Sequence, residues 1–186
     1  MVMKVILLSI LLCFFGSQYA LAVERQIDPE QSTLTIHVGK SGLLSALGHE
    51  YTVTAPIAEG TIDDGASAEI SFRVEAARLT VLPEEHESKI QHMMQERVLE
   101  STRFPEIYFA SDTVQFTGEG EWDVSGRLTL HDETRTVLLH LKLLDGEYIG
   151  NLTINQTDFG IRPVSVVGGI VKVKNELKID LSIKMM

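Results

Sequence analysis

Period-two alternation constrains this chain more than any other feature. From Val171 to Ile183 the odd positions read Val, Val, Asn, Leu, Ile, Leu, Ile, and every even position between them is polar. Side chains of an extended chain point alternately to opposite faces, so this run predicts a strand with one dry face and one wet face. The pattern recurs. "STLTIHV" sets Leu34, Ile36 and Val38 against Thr33, Thr35 and His37, and "SAEISFRV" sets Ala68, Ile70, Phe72 and Val74 against Ser67, Glu69, Ser71 and Arg73. "EIYFA" and "VQFT" read as two further strands. "EWDVSGRLTLH" aligns Trp122, Val124, Leu128 and Leu130; "TVLLHLKLL" aligns Val137, Leu139, Leu141 and Leu143; "EYIGNLTINQT" aligns Tyr148, Leu152 and Ile154. Turn signals lie between many of these runs, at Asp63-Asp64-Gly65, Gly118-Glu119-Gly120, Asp145-Gly146 and Gly168-Gly169. Asp145-Gly146 predicts a two-residue hairpin.

The runs amount to about eight strands, spaced as in a meander. Strands with one dry face pack either as a two-sheet sandwich or as a closed barrel, and periodicity alone does not choose. A closed eight-stranded barrel is either filled by its own side chains or wide enough for one small ligand. One stretch departs from the pattern. "LPEEHESKIQHMMQERVLES" opens with Pro83 and two glutamates, which favour a helix start, and places Ile90, Met94 and Val98 on one stripe with Met93 beside it. That narrow stripe predicts a helix lying on the strands with its charged side to water, ended by Phe104-Pro105.

The first 22 residues need separate treatment. Lys4, an apolar run from Val5 to Phe15 and the small-x-small pattern Ala20-Leu21-Ala22 describe a signal peptide removed after Ala22, and the run is too short to span a bilayer. The expected mature protein, residues 23–186, is a single exported domain. Cys13 is the one cysteine and falls inside the signal, preceded by Leu12 where a lipid-anchored cysteine wants a small residue. Stability therefore cannot rest on disulfides. The whole chain carries a net charge of −10, and loss of Lys4 makes the mature part more acidic still. Such a surface repels phosphate backbones and anionic headgroups, so neither nucleic acid nor a charged bilayer surface is an expected partner. A homodimer is compatible with the sequence.

No reaction centre stands out. His86 and His92 point to different helix faces, while His37, His131 and His140 read as polar-face strand residues, so no metal is expected. The mature chain has no cysteine nucleophile and no G-x-S-x-G elbow, and Ser165 in "PVSVVGG" has no assignable base. Neither an enzyme nor a cofactor is expected. Asn151 and Asn155 fit the glycosylation sequon but sit within a strand run and read as strand-surface residues. The most unusual loop, "GKSGLLSALGHEYTV", sets Leu43, Leu44, Ala46 and Leu47 before a glycine-histidine pair. Its leucines either plug a barrel end or line a mouth, in which case His49 or Lys40 would meet a polar head. Met93 and Met94 suit the same purpose, since flexible thioethers adapt to irregular chains.

Four motifs taken in order resemble the YceI-like, or polyisoprenoid-binding, family of bacterial periplasmic proteins. "IDPEQSTLTIHV" is similar to the family's opening strand, "VLESTRFPEIYFAS" to its helix-to-strand block, "VSGRLTLHDETRTVLLHLKL" to its central hairpin, and "INQTDFGI" to its late R-S-D-F-G-type motif. The resemblance spans about Ile27 to Ile183. It implies a lipocalin-like, eight-stranded antiparallel β-barrel that carries or sequesters an isoprenoid or other long-chain amphiphilic lipid. Gln31, Asp132 and Gln156 depart from the family's usual histidine, glycine and arginine. On that reading the lining is Leu34, Ile36, Val38, Phe72, Phe109, Leu128, Leu130 and Leu139, with Leu43, Leu44, Leu47, His49, Met93 and Met94 near an opening. Phe159, with Asp158 in the D-F-G motif, is counted with the ligand-binding residues, or else the pair forms only a turn in which Asp158 accepts backbone hydrogen bonds and Phe159 plugs the barrel end. The rival reading is a filled barrel acting as an accessory protein of the envelope, without a ligand.

Overall fold

A computed structural model describes residues 24–41, 51–63, 65, 68–82, 88–166 and 171–186. The signal segment, the 42–50 loop with Leu43, Leu44, Leu47 and His49, the start of the helical stretch and the Gly168-Gly169 turn lie outside the described residues. Strands dominate: β1 (Arg25–Gln26), β2 (Thr33–Val38), β3 (Lys40–Ser41), β4 (Tyr51–Pro56), β5 (Glu59–Asp63), β6 (Glu69–Glu75) and β7 (Thr80–Leu82) precede the helix. After it come β8 (Glu106–Gly118), β9 (Glu121–Leu130), β10 (Glu133–Leu144), β11 (Glu147–Asn155), β12 (Ser165–Val166), β13 (Val171–Val173) and β14 (Glu176–Ile183).

The main sheet has eleven antiparallel segments in the order β1-β5-β6-β8-β9-β10-β11-β14-β2-β4-β7, where the sequence predicts eight strands. The difference comes from bends and from one path that alternation did not mark, β4 with β5, whose first residues Tyr51-Thr52-Val53 read as loop in the sequence. β4 and β5 are separated by Ile57 and Ala58 alone, and β6 and β7 by a 3-10 turn at Ala76–Arg78. Such bends interrupt the ladder without reversing the chain. β1 pairs β5 and β2 pairs β4, so these two segments also form one path along the same neighbour. Joined in this way the segments make eight paths, and the circuit closes. β14 pairs β11 on one side and β2 on the other, while Ile27 bridges Met185. A closed circuit leaves few free edges. β8 also corrects the sequence reading: "EIYFA" and "VQFT" belong to one 13-residue strand with a register shift between Ser111 and Thr113.

Turn chemistry fixes the hairpins. Asp145 (φ 52°) and Gly146 (φ 83°) join β10 to β11 with Leu144 opposite Glu147, the two-residue turn predicted. β9 and β10 are joined likewise by His131 (φ 56°) and Asp132 (φ 60°). His131 is therefore a turn residue and not the strand-face histidine that alternation suggests. Its ring lies 3.9 Å from that of Phe104, and its Nε2 is 3.4 Å from a Glu100 carboxylate oxygen.

Helix α1 (Ser88–Met93) runs into a π-helical turn at Met94–Val98, closed by Leu99 N–H donating to the Met94 carbonyl at 2.9 Å. It fills the place beside β7 that β8 starts too late to occupy. Val81 N–H donates to Gln91 Oε1 at 2.8 Å, and Gln91 Nε2 donates to the Leu79 carbonyl at 2.7 Å. Gln95 Nε2 donates to the Ala76 and Leu79 carbonyls, each at 3.0 Å. Two helix glutamines thus satisfy a strand edge that would otherwise stay open. Among the described residues, no helix is long and apolar enough to cross a membrane.

Candidate functional site

The barrel has two ends of different character. At the base, where β1, β5, β8, β10 and β14 meet, the interior is solid. Val124 and Ile183 are fully buried, and Tyr148 is 2% exposed. The Trp122 ring stands 5.8 Å from that of Tyr148, whose hydroxyl accepts a hydrogen bond from Arg25. Ser32, also fully buried, accepts from Lys184 N–H at 2.9 Å and so ties the start of β2 to the end of β14. The remaining gap among Ile62, Ile70, Val114, Trp122, Leu141 and Tyr148 is about 10 Å³, no more than one water molecule needs.

Above this layer the interior opens into a cavity of about 490 Å³. Its floor includes Phe72 and Phe109, directly opposite each other on β6 and β8 with ring centroids 5.1 Å apart. Inward-facing glycines make room at this level. A Cβ on Gly126 would come within 2.6 Å of the Phe109 ring, and one on Gly60 within 2.8 Å of the Phe72 Cβ. The walls are aliphatic, from Leu34, Ile36 and Val53 round to Leu128, Leu139, Leu152 and Leu181. Helix residues Ile90, Met93, Met94 and Val98 roof one side. Among the described residues, polar side chains enter the lining only towards the rim, from Tyr51 at the start of β4, Gln156 after β11 and Lys172 on β13. Gln156 is 5% exposed and donates through Nε2 to the Lys174 carbonyl at 2.8 Å.

The perturbed charges lie elsewhere. Arg73 on the outer face bonds Glu59 at 2.8 Å and approaches Glu106 at 3.3 Å, and its hydrogen bond and charge hold the Glu59 carboxyl below its ordinary pKa. Glu121 raises Lys142 in the same way, again outside. Among the described residues no group of three or more His, Cys, Asp or Glu side chains could hold a metal. What the interior offers chemically is an apolar hollow above a packed base, with polar side chains, among the described residues, at one end.

Of the residues expected to line a ligand site, Leu34, Ile36, Val38, Phe72, Met93, Met94, Phe109, Leu128, Leu130 and Leu139 all border this cavity. Phe159 does not. It is buried at 1% exposure in the 3-10 turn Gln156–Phe159, outside the lining. Asp158 is held by the Asn155 side-chain amide at 3.2 Å rather than by backbone groups. Leu152, Ile154, Ile179 and Leu181 also face the cavity, and their alternation marked them as inward. Gln156 continues the same parity and is buried like them, but a polar residue at the end of the run carries no apolar signal.

An antiparallel barrel closed at one end around an aliphatic hollow defines the class: a single-chain container of the lipocalin-like kind. The YceI-like domain model matches residues 26–185, and the chain belongs to that family. Among curated relatives, a UPF0312 protein of Pseudomonas putida (strain W619) is 30% identical over 161 residues, covering 77% of this chain and 79% of the relative. One from Pseudomonas syringae pv. tomato is 28% identical over 162 residues, with the same coverage. Among solved structures, BcnA of Burkholderia cenocepacia superposes with a TM-score of 0.62 at 15% identity, over 84% of this chain and 98% of that one. A polyisoprenoid-binding domain from Saccharophagus degradans, implicated in plant cell wall breakdown, gives a TM-score of 0.59 at 14% identity, over 87% and 97%. At these identities the two structures show the fold alone.

Proposed function

We propose that the mature protein is a periplasmic carrier that binds an isoprenoid or similar long-chain amphiphile inside the barrel, after removal of residues 1–22 as a signal peptide. The observation that carries this reading is the blind aliphatic cavity whose polar side chains gather at the rim. Magnitude supports it. A dry void of about 490 Å³ left empty would cost on the order of 10 kcal/mol at roughly 24 cal/mol per Å³. That rivals the whole stability of an ordinary domain, about 5–15 kcal/mol. A tail that fills the hollow removes the cost and adds about 25 cal/mol for each Å² of its own apolar surface taken from water. A few hundred Å² would leave several kcal/mol after the cost of association, enough for roughly micromolar capture. The family membership and the Saccharophagus domain's polyisoprenoid-binding description point the same way. An acidic exterior keeps such a container in solution while its interior holds the lipid.

The test is native mass spectrometry of protein recovered from the envelope, followed by organic extraction. A bound lipid near one per chain is expected, on a polypeptide whose mass begins at Val23. Absence of lipid from every preparation, together with failure to take up any long-chain probe, would defeat the carrier reading.

A further inference from the structure

The size and blindness of the cavity say more about its occupant than that it is apolar. We infer that the site measures chain length: it houses a single apolar chain of about twenty carbons, tail inward on the Phe72–Phe109 floor, and leaves anything longer outside. This rests on the lipid-binding reading above and refines it.

Volume sets the limit. An apolar cavity of about 150 Å³ holds a benzene ring, so about 490 Å³ corresponds to roughly three times six carbons or slightly more. The chain cannot go deeper. The stacked floor is backed by Gly126, whose missing Cβ lets the Phe109 ring close the passage, and the gap below it, among Ile62, Ile70, Trp122 and Tyr148, is about 10 Å³. Interiors this tightly packed do not yield a further channel without displaced backbone. Orientation follows from polarity. Gln156 and Lys172 border the cavity at the rim, so a polar end has hydrogen-bonding partners there and none on the floor. A polyisoprenoid much longer than twenty carbons would therefore bind by one end, with its remainder emerging past these residues.

The experiment offers delipidated protein an equimolar mixture of geraniol, farnesol, geranylgeraniol and solanesol, and reads the bound adducts by native mass spectrometry. Each isoprene unit up to geranylgeraniol should tighten binding by at least about tenfold, and solanesol should bind within about threefold of geranylgeraniol. Phe72→Ala, which lowers the floor, should move the plateau to longer chains, and Leu152→Phe, which narrows the hollow, should move it to shorter ones. If Phe72→Ala does not fold, Leu152→Phe alone decides. Affinity that keeps climbing steeply to solanesol, or a plateau that Leu152→Phe does not shift, would overturn the length limit and leave the carrier reading standing. No adduct with any of the four would overturn both.

Discussion

The two halves of the barrel are built from the same strands under the same alternation, yet one is solid and the other hollow. In the base, Trp122, Leu141 and Tyr148 of β9, β10 and β11 close against Ile62 and Ile70 of β5 and β6, and Tyr148 finds a hydrogen-bond partner in Arg25. In the upper half the inward positions are Leu, Ile and Val, too short to meet across the barrel. The glycines belong to the boundary. Gly126 and Gly150 face inward where neighbouring side chains reach over them, the Phe109 ring in one case and Leu141 in the other. A strand without a side chain allows its neighbour's bulk to cross, and that is how a barrel wide enough for a ligand becomes filled over half its length. The lesson is that inward-facing is not the same as core. Side-chain size at each level decides whether a dry face encloses protein or space.

The largest effect should come from the solid half. Tyr148→Ala removes a buried ring and the hydroxyl that Arg25 bonds, so denaturant unfolding should show a loss of about 3–5 kcal/mol. A loss under about 1 kcal/mol would mean that the base is looser than its burial implies. Gly126→Ala comes next. The new Cβ would sit 2.6 Å from the Ala110 carbonyl oxygen, a backbone atom that cannot swing aside, as well as against Phe109. Overpacking of this kind costs about 1–3 kcal/mol. If the variant is as stable as the parent, Phe109 does not close the floor.

How far the sequence reveals this contrast depends on the residue. Most of the strands, their inward faces and the Asp145-Gly146 hairpin were legible, because alternation and turn chemistry act within a few residues; β4 and β5 were not, and the run Val171–Ile183 is two strands, β13 in a small sheet with β3 and β12 and β14 in the main one. Bends at Ile57-Ala58 and Ala76–Arg78 were not legible either, since they break hydrogen bonding without reversing the chain. His131 was misread because Leu130 extends the alternation right up to a turn that uses two left-handed non-glycine residues. Ten of the expected lining residues do border the hollow, but alternation treated Trp122 and Leu128 alike, although one fills the base and the other faces the cavity. Telling them apart needs the register that sets Phe109 against Phe72 and places Gly126 under its ring. Gln156 lies on the inward parity of β11, but as a polar residue it was conspicuous only as a departure from a family motif.

Smaller effects belong to the hollow half. Leu152→Ala should cost about 2 kcal/mol, at the low end for a truncated leucine, because one side of this side chain already faces space and has fewer contacts to lose. A cost near that of Tyr148→Ala would mean the cavity wall is packed as tightly as the base.

The smallest stability change should come from the most intrusive substitution. Ile36 borders the cavity from β2, so the indole of Ile36→Trp has a hollow to enter and need displace no protein atoms. Thermal and denaturant unfolding should shift by less than about 1 kcal/mol, where the same enlargement in a filled core costs about 1–3 kcal/mol or more. Ile183→Trp supplies the contrast. Its side chain is fully buried in the base, and the added ring should cost about 1–3 kcal/mol. Lipid uptake separates the two variants again: Ile36→Trp should stay folded and lose its adduct in native mass spectrometry, because the indole occupies the volume the chain needs. If Ile36→Trp unfolds as readily as Ile183→Trp, the upper half is as solid as the lower. If it folds and still carries lipid, the ligand lies somewhere other than this hollow.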